Sequence, residues 1–260
     1  MRYVKVLFQA LFSLYGLLVF VTCMLILFPL IVVASFFGKV KGGNIIYKLC
    51  HAWADMAFAL WAIRHKNYFE TPHDYNKQYV FVFNHISYMD IPVLMKAITK
   101  QHFRILGKHE MVKVPLFGFI YKNAVVLVDR LNRQKRAESI RQLKSVINRN
   151  ISVAIAPEGT FNTTHMPLKD FFDGAFRVAI ETQTPIKPIL FLDTFDRMNY
   201  KTVLTLNPGK SRAIYLEEVS VEGLTLKDVK ALKEKVYLLM EEKLQFYKAS
   251  WIKTGASLHN

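Results

Sequence analysis

Tyr79-Val80-Phe81-Val82-Phe83-Asn84-His85-Ile86-Ser87-Tyr88-Met89-Asp90 runs from an apolar segment into a loop carrying an imidazole and a carboxylate five residues apart. Five consecutive β-branched or aromatic residues predict a strand over 79–83, buried on both faces. The proline of Ile91-Pro92-Val93-Leu94 suits the first turn of a following helix, placed over 88–98. Strand, loop and helix make the repeating unit of an α/β fold, and ligands of such folds bind where the strands end. His85 titrates near neutral pH, and a carboxylate such as Asp90 can hold one imidazole tautomer while the ring takes a proton from a hydroxyl. Spacing alone does not establish this: His165-Met166-Pro167-Leu168-Lys169-Asp170 repeats it in a polar loop.

Outward from this stretch, strand-like and helix-like segments alternate. Strands are expected over 103–106, 124–128, 151–156 and 186–190. Helices are expected over 134–149 and 174–182. Strands over 203–206 and 213–219 follow, the last suited to an antiparallel edge, and Thr225-Leu226-Lys227-Asp228 opens a final helix as a capping box. The fold class is α/β, with a mixed, largely parallel central sheet flanked by helices.

No charged residue occurs over 6–38. As one helix this run would measure about 50 Å, longer than the roughly 30 Å core of a bilayer. Bends are expected at Gly16 and Pro29, giving a tilted span or a kinked hairpin that dips into one leaflet. The chain therefore divides into a hydrophobic membrane segment, 1–43, and one α/β domain, 44–260. That domain opens with an amphipathic helix over 44–66, whose Trp53 and Trp61 suit either the membrane interface or an ordinary core. The 35 Lys and Arg against 20 Asp and Glu give a net charge of +15, which on a membrane-attached protein faces anionic headgroups, phosphorylated substrates or coenzymes. Zinc-finger, RNA-binding and basic-zipper patterns are missing from the sequence, so no nucleic-acid partner is expected. Two cysteines, Cys23 and Cys50, suggest neither a disulfide framework nor a metal site.

Three loops are placed at strand ends: His85 to Asp90, Asp129-Arg130, and Glu158-Gly159-Thr160. Arg130 has a fork of donors suited to phosphate, Gly159 allows close backbone approach, and Glu158 can accept from substrate hydroxyls or brace a cation. Singly, each also reads as a solvated charge or an ordinary turn.

Taken together, these residues resemble the 1-acylglycerol-3-phosphate acyltransferases and related glycerolipid acyltransferases, over about 80–189. Asn84-His85-x-Ser87-x-x-Asp90 matches that family's first motif in full. Lys108, Glu110, Pro115 and Gly118 resemble the segment after it. Val128-Asp129-Arg130 is similar to the end of the second motif, Pro157-Glu158-Gly159-Thr160 to the heart of the third, Pro185-Ile186-Lys187-Pro188-Ile189 to the fourth, and Asp173-Gly174-Ala175-Phe176-Arg177 to a further family segment. The resemblance implies His85 as general base with Asp90 as its partner. It further implies Asn84, Ser87, Lys108, Arg130, Glu158, Gly159 and Thr160 as substrate-binding residues, acyl-CoA or acyl carrier protein as donor substrate, a lyso-glycerolipid acceptor at the bilayer, and no bound cofactor or metal. The active site is expected on the cytoplasmic face.

The departures bear on the acceptor. Ala124 and Leu127 stand where the second motif has glycine and phenylalanine. Phe161 stands where the third has arginine, which removes a cation suited to phosphate. Arg130, Lys108, Lys122 or Arg177 could compensate, or the acceptor is another lyso-lipid, with a lyso-aminolipid or a larger phospholipid headgroup. Lys187 replaces an apolar residue of the fourth motif. Two other readings remain open: a hydrolase using Ser87, which lacks the Gly-x-Ser-x-Gly elbow, and a basic membrane adaptor without turnover.

Overall fold

The computed structural model describes residues 2–128 and 133–253. After the N-terminal helix α1 (Arg2–Ser35) and a turn of π-helix (Gly38–Gly42) come α2 (Gly43–Leu60), β1 (Ile63–Phe69), β2 (Val80–Phe83), α3 (Asp90–Ala97), β3 (Phe103–Lys108), α4 (Phe117–Ala124) and β4 (Val126–Val128). The chain continues with α5 (Arg133–Ile147), β5 (Ser152–Ile155), α6 (Gly174–Glu181), β6 (Ile186–Phe191), α7 (Thr194–Arg197), β7 (Gly209–Tyr215) and α8 (Val229–Phe246). The strands form one seven-stranded sheet in the order β1-β7-β6-β2-β5-β3-β4. All pairings are parallel except β6 with β7. This is the mixed, largely parallel sheet expected from the alternation.

The central strands are buried on both faces, which explains why they read as unbroken apolar runs rather than alternating ones. Phe81, Phe83, Phe103, Ala154, Ile189 and Phe191 face a core completed by α1, α2 and α3. Val80, Val82, Val153, Ile155, Ile186 and Leu190 face the opposite core, under α5, α6 and α8. Thr225 and Asp228 form the expected capping box, at the start of a 3₁₀ turn, Leu226–Asp228, that leads into α8.

Three expectations are corrected. The helix expected over 44–66 stops at Leu60, and Ile63–Phe69 is a strand paired with β7. Its inward positions include His65, bonded to Ser211 Oγ and Asn67 Oδ1, and Asn67, bonded to the Ala97 carbonyl. Polar residues with internal partners hid the period-two pattern. The strand expected over 203–206 is a 3₁₀ turn, Val203–Thr205, capped by Thr202. The segment meets α1 instead of a sheet neighbour: Leu206 is buried there and its backbone N–H donates to Ser13 Oγ at 3.0 Å. Third, β7 is antiparallel to β6 as expected, but β1 covers its outer side, so it is not an edge.

α1 runs without a break through Gly16 and Pro29, about 51 Å at 1.5 Å per residue. Contacts with the rest of the chain extend along it. Gln9 donates to the Thr205 carbonyl, Trp61 to Gly16, Trp53 to Phe20, and Phe28 packs on Phe119. α1 and α2 thus form a helical hairpin fastened to the α/β unit. The turn joining them is held by Arg104, which is 5% exposed. Its guanidinium donates to the carbonyls of Lys39 and Val40 at 3.2 Å and to Asn44 Oδ1 at 2.8 Å.

Replacing Arg104 by Met should therefore remove the donor from several partly buried acceptors at once, at a cost of about 1–3 kcal/mol. Hydrogen exchange should rise in residues 36–44 before it rises in the sheet; unchanged protection there would show that the guanidinium does not hold the turn.

Candidate active site

Parallel register sets the floor of the site. Phe81 is level with Ala154 of β5 and Lys187 of β6, and Ala154 is level with Ile105 of β3. Three residues further along, Asn84, Pro157 and Lys108 therefore stand in one row at the carboxyl edge. Lys108 is in turn level with Val128, the last residue of β4. At about 4.8 Å between strands, the end of β4 lies roughly 14 Å across the sheet from the His85 loop, while the Glu158 loop is its immediate neighbour. Arg130 lies outside the described residues. Lys108 is exposed at the strand end.

Within the His85 loop, His85 Nδ1 lies 2.8 Å from Asp90 Oδ2. The same oxygen accepts the backbone N–H groups of Ile86 at 2.7 Å and Ser87 at 2.9 Å. Asp90 is fully buried and opens α3, where a helix N-terminus favours negative charge. With Nδ1 held by the carboxylate, Nε2 is the ring atom left to receive a proton. The His85 side chain keeps 22% of its surface, so the ring is sheltered but reachable.

Asn84 and Ser87, expected to touch substrate, are instead occupied within the fold. Asn84 is 1% exposed, donates to the Phe191 carbonyl and accepts the Phe191 N–H, so its amide continues the β2–β6 ladder beyond the last backbone pair. Ser87 is fully buried; its hydroxyl donates toward the carbonyls of Thr194 and Met198 and accepts the Met89 N–H. A hydroxyl so enclosed has no path to a substrate carbonyl, which removes the hydrolase reading.

Glu158 has a comparable role from the neighbouring loop. It is 2% exposed, and its two oxygens accept one backbone N–H each, from His85 and from Lys169, both at 2.8 Å. It braces the His85 loop from behind, with both oxygens occupied by backbone donors. Gly159 follows at φ +74°, a conformation that suits glycine, and the turn lets the Asn162 N–H reach the His85 carbonyl at 2.7 Å. The Phe161 ring sits 4.5 Å from the imidazole and 4.9 Å from Tyr88, making an aromatic wall on the base.

Sequence reasoning passed over Asn162, whose buried side chain organises the turn over Thr164 and Met166. Asn followed closely by Thr is a turn signal that could have found it. Lys169 was also passed over, because it lies inside the second His-x4-Asp run. There His165 Nδ1 bonds the Trp251 carbonyl, so the repeated spacing makes no second pair. Lys187 is buried at the start of β6 beside Thr71, away from the carboxyl edge.

Comparison with known proteins gives a consistent picture. Residues 42–192 match the family model described as Acyltransferase. A 1-acyl-sn-glycerol-3-phosphate acyltransferase of Haemophilus influenzae is 28% identical over 64% of this chain and 68% of its own. Another from Cocos nucifera is 29% identical over 65% of this chain and 54% of its own. The chain spans about half the length of several curated relatives it matches. The crystal structure of the 1-acyl-sn-glycerophosphate acyltransferase PlsC from Thermotoga maritima superposes with a TM-score of 0.71, covering 97% of this chain and all of the other, at 22% identity.

Burial, reinforced by the nearby Asp90 charge, pushes Glu158 up to about 8 against the pull of its two N–H donors. A carboxyl raised in the folded state binds more protons there than in the unfolded chain between about pH 4.5 and 8, so its contribution to stability falls as pH rises through that window. Glu158→Gln, which does not titrate and can accept only one of the two N–H groups, should be less stable by about 1–3 kcal/mol at pH 5. The gap between the melting curves of wild type and variant should narrow toward pH 8; a constant gap would contradict the raised value.

Proposed function

The chain belongs to the acyltransferase family, and from that premise we propose that it is a membrane-bound O-acyltransferase moving a fatty acyl group from acyl-CoA or acyl carrier protein to the free hydroxyl of a lyso-glycerolipid, 1-acylglycerol 3-phosphate in the first instance, to give phosphatidic acid. The observation that carries this reading is the 2.8 Å His85–Asp90 pair, half-sheltered at the carboxyl edge of the sheet. In it, His85 Nε2 takes the acceptor hydroxyl proton as the oxygen attacks the thioester carbonyl. The tetrahedral oxyanion collapses, expelling thiolate, and the imidazolium returns its proton to sulfur. Asp90 stabilises the imidazolium and keeps the tautomer. No acyl-enzyme forms. Ser87, Asn84 and Glu158 serve by holding the loop that presents the base.

Attachment to the bilayer rests on the outer face of α1, where Leu7, Phe8, Leu11, Leu18, Ile26 and Leu30 are exposed. Contacts with the rest of the chain from Gln9 to Lys39 leave little of α1 free to cross a bilayer alone. This supports the one-leaflet arrangement, with α1 lying in the interface. Lys39 and Lys41, just beyond α1, suit anionic headgroups and a cytoplasmic face. Phe161, seated on the base where an arginine would offer its fork to phosphate, is the feature that favours the second reading, transfer to a lyso-lipid with another headgroup.

Purified protein given acyl-CoA or acyl carrier protein and a panel of lyso-lipids should form diacyl lipid only when acceptor is present. Free fatty acid without acceptor would indicate a hydrolase, and no product an adaptor. His85→Ala should lose transfer by roughly 10²–10⁴-fold while still sedimenting with vesicles; near-normal turnover would remove the mechanism.

A further inference from the structure

The turn that braces the base also carries a cation. Lys169 donates its backbone N–H to Glu158 Oε2, and its ammonium reaches the Thr160 hydroxyl at 2.9 Å. Many cations of this chain sit against acids, as Lys144 and Arg177 do on Glu181, Arg212 on Asp193, and Lys233 on Asp173. Among the described residues the Lys169 ammonium makes no ion pair with a carboxylate. Its hydrogen-bond partner is a neutral hydroxyl on an exposed residue. Both oxygens of Glu158 already take a backbone N–H, and the Lys169 charge also acts on that carboxyl.

Of the positions named as possible substitutes for the missing arginine, Arg177 faces Glu181, Lys122 lies in α4 with its carbonyl taking Lys39, Lys108 ends β3 two strands from the His85 loop, and Arg130 is outside the described residues. Phe161 itself is packed on the imidazole. The third-motif turn thus divides its work: an aromatic ring covers the base, and a lysine from eight residues further on places a positive charge beside Thr160.

We infer that Lys169, seated on Thr160, is the specificity-determining contact for an anionic phosphomonoester on the acceptor. This rests on the acyltransferase reading above and names a residue that selects its substrate. The hydroxyl to be acylated and the phosphate of 1-acylglycerol 3-phosphate are on adjacent carbons. A site accepting that lipid therefore needs its cation close to the base, and the Glu158 carboxylate ties Lys169 and His85 to one support. An ammonium binds phosphate as a point charge with three donors, without the geometric demand of a guanidinium fork.

The test uses the full chain in phospholipid nanodiscs, with 1-acylglycerol 3-phosphate as acceptor and an acyl-CoA as donor. Lys169→Met should raise the acceptor KM about 10- to 100-fold, leaving kcat and the donor KM within a few-fold of wild type. Lys169→Arg should restore most of the acceptor affinity. Thr160→Val, which keeps the lysine and removes its hydroxyl partner, should give a smaller rise in the same parameter. An unchanged acceptor KM in Lys169→Met, or a joint loss of kcat and donor affinity without rescue by arginine, would overturn the assignment while wild-type turnover left the acyltransferase reading standing. Wild-type protein that acylates other lyso-lipids but not 1-acylglycerol 3-phosphate would overturn the assignment together with that choice of acceptor.

Discussion

A single carboxylate oxygen, Asp90 Oδ2, gathers three N–H donors: the ring of His85 and the backbones of Ile86 and Ser87. The rest of the site follows from it. The two backbone donors come from the loop that carries the base, so the contact that orients the imidazole also sets the path of the chain around it. Full burial removes competing water, and the position at the start of α3 supplies a favourable field. The reactive ring is held from its own loop, from Glu158 on the next strand's loop, and from the Asn162 N–H, three supports contributed by two neighbouring parallel strands.

The polar residues around the base therefore divide by burial. Asn84, Ser87, Asp90 and Glu158 are enclosed and spend their hydrogen bonds on backbone groups. His85, Tyr88, Phe161, Thr160 and Lys169 retain exposure at the same place. A loop held by several hydrogen bonds loses little entropy when substrate binds, which suits a reaction whose rate depends on bringing a hydroxyl, a thioester and a base into one geometry. The helical hairpin adds the third requirement. Trp53 and Trp61 join α1 to α2, and Arg104 fastens the turn between them to the sheet, so the exposed apolar face of α1 and the His85 loop belong to one frame.

Much of this was legible in the sequence wherever side-chain chemistry and local period agree. The central strands announced themselves because both faces are buried, and His85 and Asp90 stood out because a strand precedes them and a helix follows. What stayed hidden depends on partners distant in the chain. β1 carries His65 and Asn67 inward, and only Ser211 and the Ala97 carbonyl explain why they are tolerated there. The 203–206 segment looked like a strand because its period could not show that Leu206 is buried against α1, nearly two hundred residues away, while Val203 and Leu204 stay exposed. Asn84 and Ser87 could be placed in the loop but not assigned a direction, since a buried and an exposed polar residue look alike in sequence. Lys169 reaches the site through a turn whose geometry comes from Gly159 and Asn162 rather than from any periodic pattern.

The claim on which everything else rests is that Asp90 keeps the proton of the neutral His85 ring on Nδ1 and leaves the Nε2 lone pair for the acceptor. Nitrogen chemical shifts of His85 in the full-length protein, identified by their loss in His85→Gln, report this tautomer directly. The account requires a protonated Nδ1 and a bare Nε2 in the neutral ring, with that preference weakened in Asp90→Ala. A neutral ring carrying its proton on Nε2 would contradict it.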